Sequence, residues 1–151
     1  MNVFHVVQVQ LEQIEKAAYL FNEYRVFYGQ PSDLQGAVLF LKERTMNEQS
    51  VIYLAEDTAS QHAAGFLQLY PSFSSISMKR TWILNDLYVT EPYRKQGVAQ
   101  MLLDTAKELA VSSNVKGLGL STAVDNIQAQ RLYEKNGYKR DNEFFHYFLS
   151  L

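Results

Sequence analysis

Residues 79 to 123 constrain the fold more than any other part of the chain. Lys79 to Val89 reads as a strand whose second half is mostly apolar. A polar turn follows through Pro92 and Lys95. Gly97 to Val111 then takes helical spacing, with Val98, Met101, Leu102, Thr105 and Leu109 on one face. Val115 to Ala123 reads as a strand again. A strand, a helix and a strand in that order imply a parallel crossover, because parallel neighbours need a long connection.

The rest of the chain adds antiparallel pieces. Val3 to Val9 is short and β-branched, and Leu11 to Tyr28 switches to a helical period. Pro31 closes that helix or the loop behind it, and Ser32 or Asp33 can cap a second helix reaching Met46. Val51 to Ala55 and Ala64 to Tyr70 flank a polar turn and read as a hairpin. Pro71, Ser72, Ser74 and Ser75 read as a loop or bulge. Asn126 to Asn136 reads as a short helix stopped by Gly137. Tyr138 to Leu149 reads as a strand pair. These elements predict a mixed sheet with helices on both faces. With no linker or repeat, residues 1–151 are expected to form a single domain.

Composition removes several function classes. The chain has no cysteine, which excludes disulfides, thiolate metal sites and a cysteine nucleophile. Its net charge of -2, without long runs of either sign, argues against nucleic acid or an anionic membrane as partner. No stretch approaches ~20 consecutive apolar residues. Met1 to Gln10 lacks a signal pattern, so a soluble, cytoplasmic protein is expected. His5, His62 and His146 are scattered, which predicts no metal site.

Two stretches carry chemistry. In the first, Arg94-Lys95-Gln96-Gly97-Val98-Ala99 lies between a strand end and a helix start. Helix N-termini present unpaired N–H groups and partial positive charge, which suits phosphate. Gly97 and the small Ala99 allow close approach, and Arg94 and Lys95 add charge. The turn lacks both the Walker pattern and the Gly-x-Gly-x-x-Gly fingerprint. In the second stretch, VDNIQAQRLYEKNGY at 124–138, Asp125 or Asn126 can cap the helix. Tyr133 is open to two roles: a packed ring, or a phenol at a cleft that gives up a proton.

Together these stretches resemble the GNAT superfamily of N-acetyltransferases. Asp86-Leu87-Tyr88-Val89, Pro92 and the run RKQGVA with Leu102-Leu103 resemble its acetyl-CoA motif (Gln/Arg-x-x-Gly-x-Gly/Ala). Asn126, Ala129, Leu132, Tyr133 and Glu134 to Tyr138 are similar to its second motif. The resemblance implies an α/β fold of the α+β type. Its mixed, mostly antiparallel sheet would have six to seven strands flanked by four helices. A splayed parallel pair would form the acetyl-CoA cleft. It implies pantetheine along Leu87, Tyr88 and Val89, pyrophosphate on the backbone from Lys95 through Gln96, Gly97 and Val98 to Ala99, and Asn126 at the pantetheine or cofactor end. It makes Tyr133 the general acid for the departing thiolate, with the amine attacking the thioester directly.

One position departs from that pattern. Polyamine acetyltransferases of the family often carry Glu immediately before the Asp of this strand end, and here Asn85 stands there. Asp86 is the nearest carboxylate, expected on the opposite sheet face, as a base or as a structural group. Water, Glu91 or a carboxylate of the first two helices are the alternatives. The run from Phe21 to Tyr28 resembles a subgroup acting on small amines, amino acids and histone tails. Tyr24, Phe27 and Tyr28 would give a cation–π wall, and Glu23 or Asp33 a carboxylate for an ammonium. Packing of the helix onto the sheet is the other reading of those rings. The expected activity is acetyl transfer to a primary amine of a small molecule, such as a polyamine or amino acid. The alternatives are a protein lysine or N-terminal acetyltransferase and a non-catalytic acyl-CoA sensor. The apolar run Phe144 to Leu149 predicts a homodimer.

Overall fold

A computed structural model describes residues 2–151. The chain divides into two compact units, Met1–Leu120 and Ser121–Leu151. The first unit holds β1 (Phe4–Gln8), a 3-10 turn (Leu11–Gln13), α1 (Ile14–Phe27), α2 (Leu34–Met46), β2 (Val51–Asp57), β3 (Ala63–Ser74), β4 (Lys79–Val89), α3 (Val98–Ser112) and β5 (Leu118–Gly119). The second unit holds α4 (Ile127–Lys135).

The sheet runs in the order β1-β2-β3-β4-β5. Among the described residues only the β4–β5 pair is parallel. In α1, Ile14, Ala17, Ala18 and Phe21 are buried at the three- and four-residue spacing of one helical face. They join Ala37 and Leu41 of α2 and Ile52, Leu54, Phe66 and Tyr88 of the sheet in one apolar cluster. Burying each large side chain there stabilises the fold by roughly 1.5–3 kcal/mol. Asp33 caps α2 as expected, its carboxylate accepting from the Gly36 N–H at 2.9 Å.

α3 packs on the opposite face, and Gly65 sets how closely it approaches. A Cβ at Gly65 would lie 2.8 Å from the Tyr88 carbonyl oxygen and 3.1 Å from Val98 Cγ1. No side chain fits between β3, β4 and α3 at that point.

Among the described residues the sheet has five strands, not six to seven. β5 is two residues long rather than Val115 to Ala123. Gly117, Gly119 and Ser121 leave it few side chains to pack. β3 runs on through Pro71 to Ser74 instead of breaking into a loop. β2 begins at Val51, opposite Leu69, so beyond that point β3 has one strand neighbour and tolerates a proline. Residues 138–149 form no strand. Asp141 instead turns the chain, accepting from the Glu143 N–H at 2.8 Å, and Phe144 to Leu149 is mostly exposed. In this second unit Asn126 caps α4, accepting from the Ala129 N–H at 3.2 Å, and Gly137 ends it with φ 89°.

Gly65→Ala is expected to destabilise the protein by about 1–3 kcal/mol, as overpacking does. A lower urea midpoint at unchanged slope would report it. An unchanged midpoint would mean that β4 and α3 give way freely.

Candidate active site on the open edge of β4

β3 and β4 lose register at one residue. Gln68 pairs with Asp86 and Leu69 with Leu84, which leaves Asn85 as a β-bulge. Cross-strand partners share a sheet face. Leu84 therefore lies with Leu69 on the α3 face, while Asp86 and Tyr88 lie with Gln68 and Phe66 on the α1 face. The bulge also joins two side chains that a regular strand would separate: Asn85 Nδ2 donates to Asp86 Oδ1 at 3.1 Å. Asp86 does not face away from Asn85, contrary to the alternation of a regular strand.

The parallel pairing of β4 stops beside this bulge, at Trp82↔Leu118 and Ile83↔Gly119. From Leu84 to Val89 β4 has no ladder partner on that side among the described residues. The Thr90 N–H donates to the Ala64 carbonyl, toward β3, at 3.0 Å. The carbonyl of Val89, across the same trans peptide, therefore points to the open edge. By strand alternation the backbone groups of Leu87 do the same.

The turn after β4 leads to α3 through two residues in left-handed conformation, Lys95 (φ 61°) and Gly97 (φ 84°). Gly97 immediately precedes α3, no side chain caps the helix, and a Cβ built at Gly97 meets nothing within 4 Å. An exposed helix start with open space above its glycine is fit to receive an anion. Lys95 and Gly97 are exposed, Val98 is buried and Ala99 half-buried. The Gln96 side chain donates to the Pro92 carbonyl at 3.1 Å and accepts from Asn2 at 3.0 Å. Arg94 turns back over β4. Its Nε donates to the Val89 carbonyl at 2.9 Å, and its guanidinium lies 5.6 Å from the Phe27 ring centroid and 5.7 Å from that of Tyr88.

Asp86 is 4 % exposed. It accepts from Gln68 Nε2 at 2.7 Å and also hydrogen-bonds Tyr24 and Asn85. Burial lifts its carboxyl above the ordinary carboxylate range, against the lowering effect of those bonds. Tyr70 is pushed up to about 12 by burial and by the Asp86 charge, with Arg44 opposing. Tyr24 packs edge-on to Tyr28, Phe66 and Tyr88. Glu23 is engaged: its Oε1 accepts from Tyr88 Oη at 3.1 Å and from Thr90 Oγ1 at 2.7 Å. Phe27 and Tyr28 are largely exposed at the end of α1. Asp33 is occupied as the α2 cap.

The family model described as Acetyltransferase (GNAT) family matches residues 12–138. The chain belongs to this family. It is 47% identical over 147 residues to an uncharacterised N-acetyltransferase of Bacillus subtilis, covering 97% of each chain. It is 33% identical over 92 residues to a D-amino-acid N-acetyltransferase of Saccharomyces cerevisiae, covering 61% of this chain and 57% of that one. A crystal structure described as a probable acetyltransferase superposes with a TM-score of 0.92 at 46% identity, over 97% of each chain. The protein is thus a GNAT acetyltransferase with the GNAT fold, and the family uses acetyl-CoA.

In the second unit of this acetyltransferase, Tyr133 lies on α4, half-buried, with its ring 5.8 Å from that of Tyr138. Asn126 uses its side-chain oxygen as the α4 cap. Among the described residues no group of three or more His, Cys, Asp or Glu could hold a metal ion, and no helix is long and apolar enough to cross a membrane. The bulge at Asn85 was not anticipated from sequence. Its trace is the polar pair Asn85-Asp86, which breaks the alternation of an otherwise apolar strand.

Asp86 gives a pH prediction. Its pKa is raised on folding, so the folded state binds the proton more tightly and stability falls as pH rises from about 4 through the raised pKa. Asp86→Asn should remove this dependence. Urea midpoints of variant and wild type should diverge in the variant's favour across that window and run parallel above it. A pH-independent difference would assign the effect to other groups.

Proposed function

We propose that this acetyltransferase moves the acetyl group of acetyl-CoA to a primary amine of a small cationic molecule, such as an amino acid or polyamine. The observation that carries this reading is the coincidence of bulge, open strand edge and uncapped helix start. The edge offers Leu87 and Val89 backbone to a pantetheine arm. The amides from Lys95 to Ala99 offer a seat for the pyrophosphate, helped by the charge of Lys95. The aromatic wall of Tyr24, Phe27, Tyr28 and Tyr88 supports a cationic acceptor. The D-amino-acid acetylation named for the yeast relative points the same way.

In this reading residues 1–151 act as one catalytic domain of a cytoplasmic protein. The acceptor amine loses a proton, since an ammonium has a pKa of about 10.4. Its nitrogen then bonds to the thioester carbonyl carbon, the carbon–sulfur bond breaks, and Tyr133 protonates the departing thiolate. Asn126 serves the pantetheine end. The raised pKa of Asp86 favours it as the base, while its three side-chain bonds favour a part in holding the bulge. As base, its replacement by Asn would cost on the order of 100-fold or more in kcat. As an anchor, the loss would follow stability. The exposed apolar run of Phe144, Phe145, Tyr147, Phe148 and Leu149 supports a homodimer. Sedimentation should then give twice the 17.4 kDa chain mass.

Coenzyme A release should be seen with members of a panel of polyamines, amino acids and aminoglycosides. Bound acetyl-CoA without turnover on any of them would move the acceptor to protein amines or leave a binding module. Gly97→Val should abolish acetyl-CoA binding, because its side chain enters the open space above the turn and strains a φ of 84°. Tyr133→Phe should lower kcat on the order of 100-fold with acetyl-CoA affinity nearly intact. Full turnover in that variant would remove the general-acid role.

A further inference from the structure

Arg94 has the charge of a phosphate ligand and the placement of something else. Its Nε is spent on the Val89 carbonyl at 2.9 Å, and that carbonyl faces the open edge of β4. Its guanidinium covers Phe27 of α1 and Tyr88 of β4, whose ring centroids are 6.1 Å apart. The Tyr88 hydroxyl, on the ring that the guanidinium covers, donates to Glu23 at 3.1 Å. Glu23 accepts in turn from Thr90, one residue beyond the carbonyl that Arg94 holds. The contacts close a ring: Arg94, Tyr88, Glu23, Thr90, and back through the peptide to Val89. One of its members, Glu23, belongs to α1, as does Phe27 under the same guanidinium, and the rest belong to the strand end and its turn.

We infer that Arg94 is a positioning residue of the thioester cleft: it caps the last outward carbonyl of β4 and ties that strand end to the aromatic end of α1. Two consequences follow. With Val89 O held by Arg94 through one lone pair, the outward N–H and carbonyl groups of Val89 and Leu87 that a donor arm would meet are fixed in place. The wall formed by Phe27 and Tyr88 is fixed to the same strand end, so donor and acceptor sides are held at a set spacing. A guanidinium suits this work because it is planar, stacks on rings and keeps further donors after one is used.

The inference rests on the acetyl-CoA reading of the cleft, and the experiment separates the two. Binding of acetyl-CoA and of S-acetylpantetheine, which has the thioester arm without nucleotide or pyrophosphate, is measured by ligand-observed NMR for wild type, Arg94→Met and Arg94→Gln. A positioning role predicts that Arg94→Met weakens both donors by a similar factor, on the order of tenfold, as loss of a charge-assisted hydrogen bond does. Arg94→Gln, which keeps a neutral N–H donor for the Val89 carbonyl, should recover most of that loss for both. A loss confined to acetyl-CoA and not recovered by Gln would make Arg94 a phosphate ligand and overturn the inference, leaving the acetyl-CoA reading intact. Wild-type protein that binds neither donor would overturn the acetyl-CoA reading and the inference with it.

Discussion

The bulge at Asn85 is the constraint on which the first unit's site depends. One unpaired residue changes the facing of every side chain after it. Leu84 stays with Leu69 against α3, and Asp86 and Tyr88 turn to meet Gln68 and Phe66 under α1. Without the extra residue Tyr88 would leave the ring cluster of Tyr24, Phe27 and Phe66, and the Glu23 carboxylate would lose a donor. The bulge also coincides with the end of the β4–β5 ladder. The edge left open past that point is the one that would receive a thioester arm in the proposed reading.

Holding such a bulge has an energetic cost, and the side chains around it show how it is met. Asp86 is buried with a carboxyl that burial disfavours as an anion, and three polar side chains offset part of that penalty. The Gln68 amide reaches Asp86 with its nitrogen, while its own oxygen is buried with no hydrogen-bond partner among the described residues. A polar network left partly unsatisfied inside a sheet is a poor way to gain stability and a good way to fix geometry. Gly65 adds a second constraint at the far end of the same strand pair. It lets α3 sit on β4, so that the uncapped start of α3 stands just past the open edge.

The sequence was most legible where a local rule had one solution. β4, α2 with its Asp33 cap, α3 and α4 with its Asn126 cap fell where periodicity and capping residues put them. Legibility failed where pairing decides. The register shift at Asn85 needs the partner strand to define it, so only the Asn-Asp pair hinted at it. Pro71 read as a break because its place beyond the end of β2 is not a local property. Phe144 to Leu149 has strand-forming residues but no partner strand among the described residues. Residue type also does not show which charged groups have partners within the chain. Glu23, Asp33 and Arg94 read as groups waiting for ligands, and each is engaged by protein: Glu23 by two hydroxyls, Asp33 by a helix start, Arg94 by a carbonyl and two rings.

That pattern explains why the donor half of the chemistry is easier to read than the acceptor half. Backbone binds the donor's phosphates and arm in the proposed reading, and backbone geometry follows from glycine, turn and strand signals that any single sequence displays. In the same reading the acceptor side is built from α1 rings that also carry the core. Phe21 stacks on Phe40 and meets Phe66 edge-on, and Tyr24 touches Phe66 and Tyr88. A ring that must fill the core cannot vary freely to suit a substrate, so selectivity should concentrate on the rings that the core does not consume. In this chain those are Phe27 and Tyr28, both largely exposed at the last turn of α1 and both within reach of the Arg94–Tyr88–Glu23 link. In the proposed reading the acceptor's identity would therefore be encoded in a short stretch whose neighbours are determined by packing, and composition alone cannot separate the two roles.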